Sequence, residues 1–263
     1  MPAPILTVGF DAPDTPALEA RLGRPCSHHE MLPRVVVERG KLFVRERDAD
    51  RYVGVAGVVF HGIFEHDLDF LAALALWGGP CFPNPAAMMD CRLRLPCLVR
   101  ALRFTRFGGP RGYASPGAVY STDATEVAKW GNWHCGENKE RFTGDWKATE
   151  PTLFEPFVAG DAVRVVVIGD TARQIRLTGP DWKKSVHGSG AAVVPADTDL
   201  VADTLAIRRG IGLDLIANDY IASPDGQHYL LEVNHIPSVT CFPELWQDYL
   251  GTVSAWAATA VPN

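Results

Sequence analysis

The stretch that decides the fold lies near the end of the chain, at residues 218–237, NDYIASPDGQHYLLEVNHIP. Two short apolar runs flank residues 223–226, Ser-Pro-Asp-Gly, which are the residue types that reverse a chain. The pattern predicts an antiparallel hairpin with Asp219 at the start of one strand and Glu232 at the end of the other. Asn234 follows two residues later on the same face as Glu232. Two carboxylates and an amide are therefore expected to converge.

These three side chains predict a site for a hard cation. Mg²⁺ usually takes one or two protein carboxylates and leaves its other positions to water and phosphate oxygens. The alternative is a solvated hairpin that carries ordinary surface acids. The hairpin alone does not decide between the two interpretations.

The composition excludes several classes of protein. Of 263 residues, 47% are apolar and 21% charged, and the formal net charge of −6 argues against a nucleic-acid partner. Because the sequence has no run of about eighteen apolar residues, we expect no membrane partner. Six scattered cysteines form no Cys-x-x-Cys pair, and no secretory leader precedes them, so a reduced, cytoplasmic chain is expected.

Secondary-structure signals mark a boundary after the first third of the chain. Residues 1–81 alternate short apolar runs with two stretches of helical spacing, which predicts a small α/β domain. At residues 81–85, CFPNP, two prolines hold the chain extended and mark a boundary.

A candidate phosphate loop follows Lys129, which ends a short apolar strand. Gly131 and Gly136 then let the backbone approach an anion and expose N–H donors. This is not a Walker loop, because Glu137 stands where that motif requires lysine. The alternative is a tryptophan-rich packing turn.

Two apolar strands are predicted within residues 152–158 and 161–169. The second is too apolar for an edge strand, and Arg164 interrupts it, so this charge should be paired or lie in a cleft. Arg176 falls on the next predicted strand. Residues 182–190 then form a polar loop, which either closes over a site or is solvated.

From about Phe82 onward, these parts resemble the ATP-grasp superfamily of carboxylate–amine ligases, most nearly ribosomal-protein glutamate ligases, glutathione synthetases and peptide-modifying ligases. Residues 153–169, LFEPFVAGDAVRVVVIG, are similar to the hinge and the following strand of that superfamily. Residues 213–219, LDLIAND, and 231–237, LEVNHIP, are similar to its metal-binding strands.

The resemblance implies an α+β chain with the ATP-grasp fold, in which a nucleotide is held between two α+β subdomains. The lid subdomain would be residues 82–158, and the C-terminal subdomain with the metal site would be residues 159–263. The small α/β N-terminal domain, residues 1–81, would precede them.

The resemblance also implies a role for each matching residue. Lys129 would contact the nucleotide phosphates, and residues 131–139 would form the loop over them, with Gly131, Gly136 and Lys139. The hinge that holds adenine would comprise Glu155, Phe157 and Val158, with Asp161 meeting the ribose or orienting the hinge. The transferred phosphate and the acyl-phosphate would face Arg164 and Arg176. The Mg²⁺ ligands would be Asp219, Glu232 and Asn234.

The reaction so implied is the ATP-dependent joining of an acid to an amine through an acyl-phosphate. The cofactors would be ATP and one or two Mg²⁺ ions, for which Mn²⁺ can substitute. The partners would be a small-molecule acid and amine, an amino acid or a peptide, and a dimer is compatible with the sequence. Two alternatives remain: a phosphotransferase on the same scaffold, and a nucleotide-binding module without catalysis.

The sequence departs from the superfamily at two places. The first phosphate lysine is missing, and Arg92 or Arg94 stands in its region. The glycine loop contains Trp130 and Trp133 where small residues are common. Substrate-facing loops such as residues 179–190 do not identify the acid or the amine.

Overall fold

A computed structural model describes residues 3–46, 49–132 and 138–261 of the chain. The first segment is built on a parallel four-stranded sheet of order β2-β1-β6-β7, beside an antiparallel three-stranded sheet of order β3-β4-β5. Its elements are β1 (Ile5–Val8), α1 (Thr15–Leu22), β2 (Cys26–His29), β3 (Val35–Glu38), β4 (Lys41–Arg45), β5 (Tyr52–Val55), β6 (Gly57–Phe60), α2 (Asp67–Trp77) and β7 (Cys81–Phe82).

The second segment pairs two helices with an antiparallel sheet of order β10-β9-β11-β8. Its elements are α3 (Pro85–Cys91), α4 (Arg94–Ala101), β8 (Gly112–Ala114), β9 (Val119–Trp130), β10 (Lys139–Lys147) and β11 (Thr152–Pro156). The sequence predicted only a short strand before Lys129, whereas β9 is 12 residues long. Its first half is polar and largely exposed, so it carries no apolar run that would have revealed it.

The third segment is an antiparallel sheet of order β14-β13-β12-β15-β16, with one helix on each face. Its elements are β12 (Asp161–Ile168), β13 (Thr171–Arg176), β14 (Ala192–Val194), α5 (Thr198–Ile211), β15 (Leu215–Ala222), β16 (His228–Asn234), a 3₁₀ turn (Val239–Cys241) and α6 (Pro243–Ala260). The apolar strand β12 occupies the centre of the sheet, as its composition predicted.

Side-chain caps fix where the helices begin. Asn84 precedes α3 and accepts hydrogen bonds from the backbone N–H groups of Ala86 and Ala87. Asp197 does the same at the start of α5 for Asp199 and Leu200. These oxygens satisfy N–H donors that have no partner inside the helix.

The hairpin predicted at residues 218–237 is confirmed, but Asp219 lies within β15, which begins at Leu215, and not at the start of the strand. Strands β15 and β16 pair antiparallel, with Asp219 directly opposite Glu232, and β12 pairs on the other side with Arg164 opposite Asp219. The register shifts by one after Asp219, which leaves Leu231 as an extra residue in β16. Such a bulge twists a strand and re-aims its neighbouring side chains.

The five-stranded sheet has a buried core on each face. Val163, Val165 and Val167 face the core that includes α5, while alternate β12 residues face the core that includes α6. The α6 core also contains Ile5 and Phe10 of the first segment. The C-terminal helix therefore shares its core with the N-terminal sheet, and the division at residues 81 and 158 stays a prediction.

Among the helices in the described ranges, none is long and apolar enough to cross a membrane.

One partly buried histidine should make the stability of the fold depend on pH. The His61 ring stacks on Phe10 at a centroid distance of 5.2 Å and meets Tyr249 at 5.8 Å. Burial lowers the pKa of His61 to about 4. Since protonation then favours the unfolded chain, stability is lost as the pH falls from about 6.5 toward about 4.

We predict that His61→Phe reduces this loss. Because His61 is partly exposed, solvent reduces the energetic effect of its protonation. We therefore expect the free energy of unfolding of the variant, minus that of the parent, to increase by about 1–2 kcal/mol as the pH falls from 7 to 4.5. Urea unfolding of both proteins at the two pH values measures the difference. Parallel pH curves would contradict the assignment.

Candidate active site

A cleft separates the second and third segments, and it has two connected chambers. The hinge chamber lies between strands β9 to β11 and the hairpin β15–β16. The arginine chamber lies between Arg164, Asn234 and residues 183–187. Both chambers are lined by Lys139, Lys184, Asp219 and Glu232.

The hinge chamber combines apolar walls with charged groups at one end. Phe157 and Val158, just after β11, line it together with Val127 and Ile221. The Trp182 ring meets Phe157 edge-on at a centroid distance of 6.0 Å. A mostly apolar chamber with a few convergent polar groups is typical of a small-molecule site.

A row of charges crosses three adjacent strands at the junction of the chambers. The Arg164 Nε and Nη2 atoms donate to the two Asp219 carboxylate oxygens at 2.6 and 2.8 Å. Glu232 is the partner of Asp219 on the next strand. Directly opposed residues share a face of the sheet, so the register brings these three side chains together.

The two acids of this row influence each other. Burial raises the pKa of the Glu232 carboxyl, and the neighbouring Asp219 carboxylate raises it further. Lys129, Arg94 and Arg164 oppose this rise. A cation that lies between two adjacent carboxylates reduces the repulsion between them.

The residues here fit Mg²⁺ by the chemistry of their donor atoms. Asp219, Glu232 and Asn234 all line the arginine chamber. Carboxylate and amide oxygens are the hard ligands that Mg²⁺ prefers.

Lys129 links the two walls of the cleft. Its Nζ atom lies 2.5 Å from Glu155 Oε1 and donates to the Leu231 carbonyl at 2.9 Å. Glu155 follows on β11 of the same sheet, whereas Leu231 is the bulged residue of the facing hairpin. The bulge frees the Leu231 carbonyl from strand pairing, so it can accept the lysine.

Arg111 repeats this connection on the other side of Glu155. Its Nε atom lies 3.1 Å from Glu155 Oε2, and its Nη2 atom donates to the Leu230 carbonyl at 2.6 Å. The Glu155 side chain is 3% exposed. One buried carboxylate thus lies between two cations, both of which bind β16.

Lys139 and the loop at residues 182–187 add positive charge at the mouth of the cleft. The Lys139 Nζ lies 5.9 Å from the centre of the Trp182 ring, and the Lys183 Nζ lies 5.7 Å from it. Burial lowers the pKa of Lys139, with Lys129 contributing in the same direction, while Glu232 opposes it.

Two of the predicted site residues lie apart from this cluster. Arg176 pairs with Val163, so it is on the opposite face of the sheet from Arg164, and it is exposed. Asp161 is exposed at the start of β12, opposite Ala222. Among the described residues that line the two chambers, neither appears.

The glycine loop is described only in part. Gly131 has a left-handed φ of 71° and borders a small cavity with Lys129 and Arg94. Gly136 lies outside the described residues.

The two arginines in the region of the missing first lysine have different surroundings. Arg92 is buried and forms an ion pair with Asp67 of α2. The Arg94 guanidinium donates to the carbonyl of Trp130 at 2.8 Å and to that of Gly131 at 3.3 Å. Of the two, Arg94 is the one beside Lys129 and the glycine loop.

Sequence reasoning missed Arg111 and did not single out Lys184. Arg111 belongs to a Gly- and Pro-rich stretch with no motif, and only the folded structure shows its contact with Glu155. Lys184 lies in a polar loop, and the pair of adjacent lysines, 183 and 184, is the sequence feature that could have identified it.

Comparison with solved structures identifies the fold of the chain. The chain superposes on the D-alanyl-alanine synthetase A of Vibrio cholerae O1 biovar eltor with a TM-score of 0.70, at 14% identity over 100% of this chain and 99% of that one. It superposes on the ATP-grasp ligase PsnB, complexed with a minimal precursor, with a TM-score of 0.66, at 15% identity over 99% of each chain. The chain therefore has the ATP-grasp fold, and the resemblance and α+β class predicted from the sequence are confirmed.

Relatives in sequence agree with the structural class. The chain is 31% identical over 201 residues to D-alanine–D-alanine ligases from two strains of Nitratidesulfovibrio vulgaris. The match covers 68% of this chain and 54% of those ligases, so the chain spans about half the length of the curated relatives it matches. No family model matches the chain.

We predict that Glu155→Gln destabilises the protein by about 3 kcal/mol, because it leaves Lys129 and Arg111 buried without their carboxylate. Chemical denaturation measures the change. The control is Asp50→Asn, which removes an exposed partner of Arg45 and should change stability little. Equal effects of the two substitutions would show that Glu155 does not hold the cleft together.

Proposed function

We propose that this chain is an ATP- and Mg²⁺-dependent ligase that joins a carboxylate to an amine through an acyl-phosphate. The row Arg164–Asp219–Glu232, directed into a cleft that also contains Lys129 and Lys139, carries the proposal. The reaction of a carboxylate with the γ-phosphate of ATP brings two anions together, so it requires this concentration of cations.

The hinge chamber is assigned to the nucleotide. Phe157 and Val158 would contact adenine, and Lys129, held by Glu155, would bind the phosphates. Lys139 and Gly131 belong to the loop that would cover them, and Gly136 keeps its predicted role there. Arg94 would take the place of the absent first lysine, because it contacts the Gly131 carbonyl.

The arginine chamber is assigned to the reacting groups. Asp219, Glu232 and Asn234 would hold Mg²⁺, which would neutralise phosphate charge when bound. Arg164 would orient Asp219 and face the transferred phosphate. Arg176 and Asp161 retain their predicted roles only if the cleft rearranges when substrates bind.

The chemistry explains why this site needs no nucleophilic side chain. The substrate carboxylate attacks phosphorus, ADP leaves, and the amine then attacks the acyl carbon and displaces phosphate. The protein's groups position the reactants, neutralise charge and exclude water. Residues 183–187 line the arginine chamber, where they would limit the access of water.

Several finer points belong to the same proposal. The acid and the amine would be small molecules, with an amino acid or a peptide as the substrate class. Two Mg²⁺ ions and substitution by Mn²⁺ are proposed from the resemblance. The scattered cysteines support a cytoplasmic setting.

The test is a substrate screen for ADP release in the presence of hydroxylamine. Trapping of a hydroxamate together with ADP would support the ligase. Release of ADP with a stable phosphorylated product would support a phosphotransferase. Nucleotide binding without turnover on any amino acid or peptide would support an inactive binding module.

We predict that Glu232→Gln lowers turnover by on the order of 10²–10³, because it removes one charge from the proposed Mg²⁺ site. Circular dichroism should show an unchanged fold. The control is Asp225→Asn on the exposed turn of the same hairpin, which should retain parental activity. Parental turnover in Glu232→Gln would remove the metal assignment.

We predict that Lys129→Ala weakens ATP binding about 10- to 100-fold, since a charge-assisted contact to phosphate is lost. Calorimetric titration with a non-hydrolysable ATP analogue measures the change. Lys147→Ala, which removes an exposed lysine at the end of β10, serves as the control. The phosphate role of Lys129 would be excluded by an unaltered affinity.

A further inference from the structure

A second cluster of ligating side chains lies outside the cleft, on the N-terminal sheet. Glu19 on α1 and Cys26 and His28 on β2 each direct one ligand atom toward a common point. All three atoms lie within 4.8 Å of one another. Strand β2 is at the edge of its sheet, and residues two apart on a strand share a face, so Cys26 and His28 both face α1.

The Nδ1 atom of the His28 imidazole contacts the neighbouring strand β1. This atom lies 2.6 Å from the hydroxyl of Thr7, the residue opposite His28 on β1. When Nδ1–H donates to Thr7, the lone pair is at Nε2. The Nε2 atom is buried and has no hydrogen-bond partner in the part of the chain that the structure describes. Metal-binding histidines are usually held through their other nitrogen in this way.

The carboxylate of Glu19 is held toward the same point. Its Oε1 atom accepts a hydrogen bond from the Cys26 backbone N–H at 3.4 Å, and its Oε2 atom lies 3.6 Å from His28 Nε2. Two ligands of a tetrahedral Zn²⁺ ion, each bonded at about 2.0–2.3 Å, are roughly 3.3–3.8 Å apart. The Glu19–His28 separation already has this value.

We propose that Cys26, His28 and Glu19 form a Zn²⁺ site with water in the fourth position. A thiolate, an imidazole and a carboxylate are ligands that suit Zn²⁺, whereas Mg²⁺ and Ca²⁺ prefer oxygen alone. The Cys26 thiol gives its proton to solvent as the sulfur–zinc bond forms. Glu19 is half exposed, so its side chain can make the small closing movement.

A metal ion here would connect α1 to the edge strand of the first segment. Helix α1 also contacts the C-terminal helix, where the Ser254 hydroxyl donates to the Arg21 carbonyl at 2.9 Å. The proposed role of the ion is therefore to stabilise the N-terminal segment and its contact with α6. The site is separate from the acids of the cleft and does not depend on the proposed ligase activity.

Zinc titration of the metal-free full chain in the Glu232→Gln background tests the proposal, because that background lacks one acid of the cleft. We expect one Zn²⁺ per chain, and Co²⁺ in its place should give a thiolate-to-metal charge-transfer band. Cys26→Ala should abolish the band and weaken Zn²⁺ binding at least tenfold. Glu19→Gln should weaken it about tenfold.

Two controls separate this site from other ligands. His29→Gln changes the neighbouring histidine on the opposite face of β2, and Cys241→Ala removes the thiol that lies 3.8 Å from the His187 imidazole. Both variants should bind Zn²⁺ like the parent and keep the Co²⁺ band. Thermal denaturation should show that Zn²⁺ raises the Tm of the parent and not that of Cys26→Ala.

Unchanged Zn²⁺ affinity in Cys26→Ala and Glu19→Gln would overturn the proposal. Loss of binding in Cys241→Ala would also overturn it, since the metal would then be at the mouth of the cleft. If Cys26→Ala fails to fold, Glu19→Gln decides the question, because Glu19 is exposed and its replacement leaves the core intact.

Discussion

The charged row of the cleft depends on the register of three antiparallel strands. Arg164, Asp219 and Glu232 are far apart in sequence, and they meet because β12, β15 and β16 place them opposite one another. If either strand pairing shifted by one residue, a charged side chain would point into an apolar core. The apolar residues that alternate with them, such as Val163 and Val165, therefore fix the chemistry by fixing the register. Burial of hydrocarbon and assembly of the charged row are two results of the same strand pairing.

The second constraint is the carboxylate of Glu155, which joins the two halves of the cleft. Lys129 and Arg111 bind it from opposite sides and donate to consecutive carbonyls of β16. Both carbonyls belong to the edge strand of the sheet, and Leu231 is the bulged residue of that strand. An ion cluster of this kind adds little net stability compared with a well-packed apolar contact. It does, however, set the distance between hinge and hairpin, and it holds Lys129 at the boundary of the hinge chamber.

Local sequence signals predicted the parts of the site that depend on a single hairpin or strand. The turn at residues 223–226 fixed the proximity of Asp219 and Glu232, and the charge within an apolar strand predicted that Arg164 is paired. Arg176 shows the limit of this reasoning, since nearness along the chain does not say which face of a sheet a residue occupies. Arg111 shows another limit, because its contact with Glu155 joins residues on different strands through no recognisable motif. The length of β9 was missed because a polar strand is stabilised by its neighbours and not by its own composition.

The charge distribution connects the stability of the chain with its proposed activity. The net charge is −6, yet the cleft collects Lys129, Lys139, Lys184 and Arg164 around two acids. Burial and the neighbouring Asp219 raise the pKa of Glu232. Ionisation of Glu232 in the folded protein therefore costs free energy when no metal cation is bound. Burial and Lys129 lower the pKa of Lys139, so the cations of the cleft are likewise held under mutual repulsion. A ligand that carries both a divalent cation and phosphate oxygens relieves both costs at once, and Mg²⁺ with a nucleotide has that composition. The same groups that reduce the stability of the free protein would therefore increase its affinity for the proposed ligand.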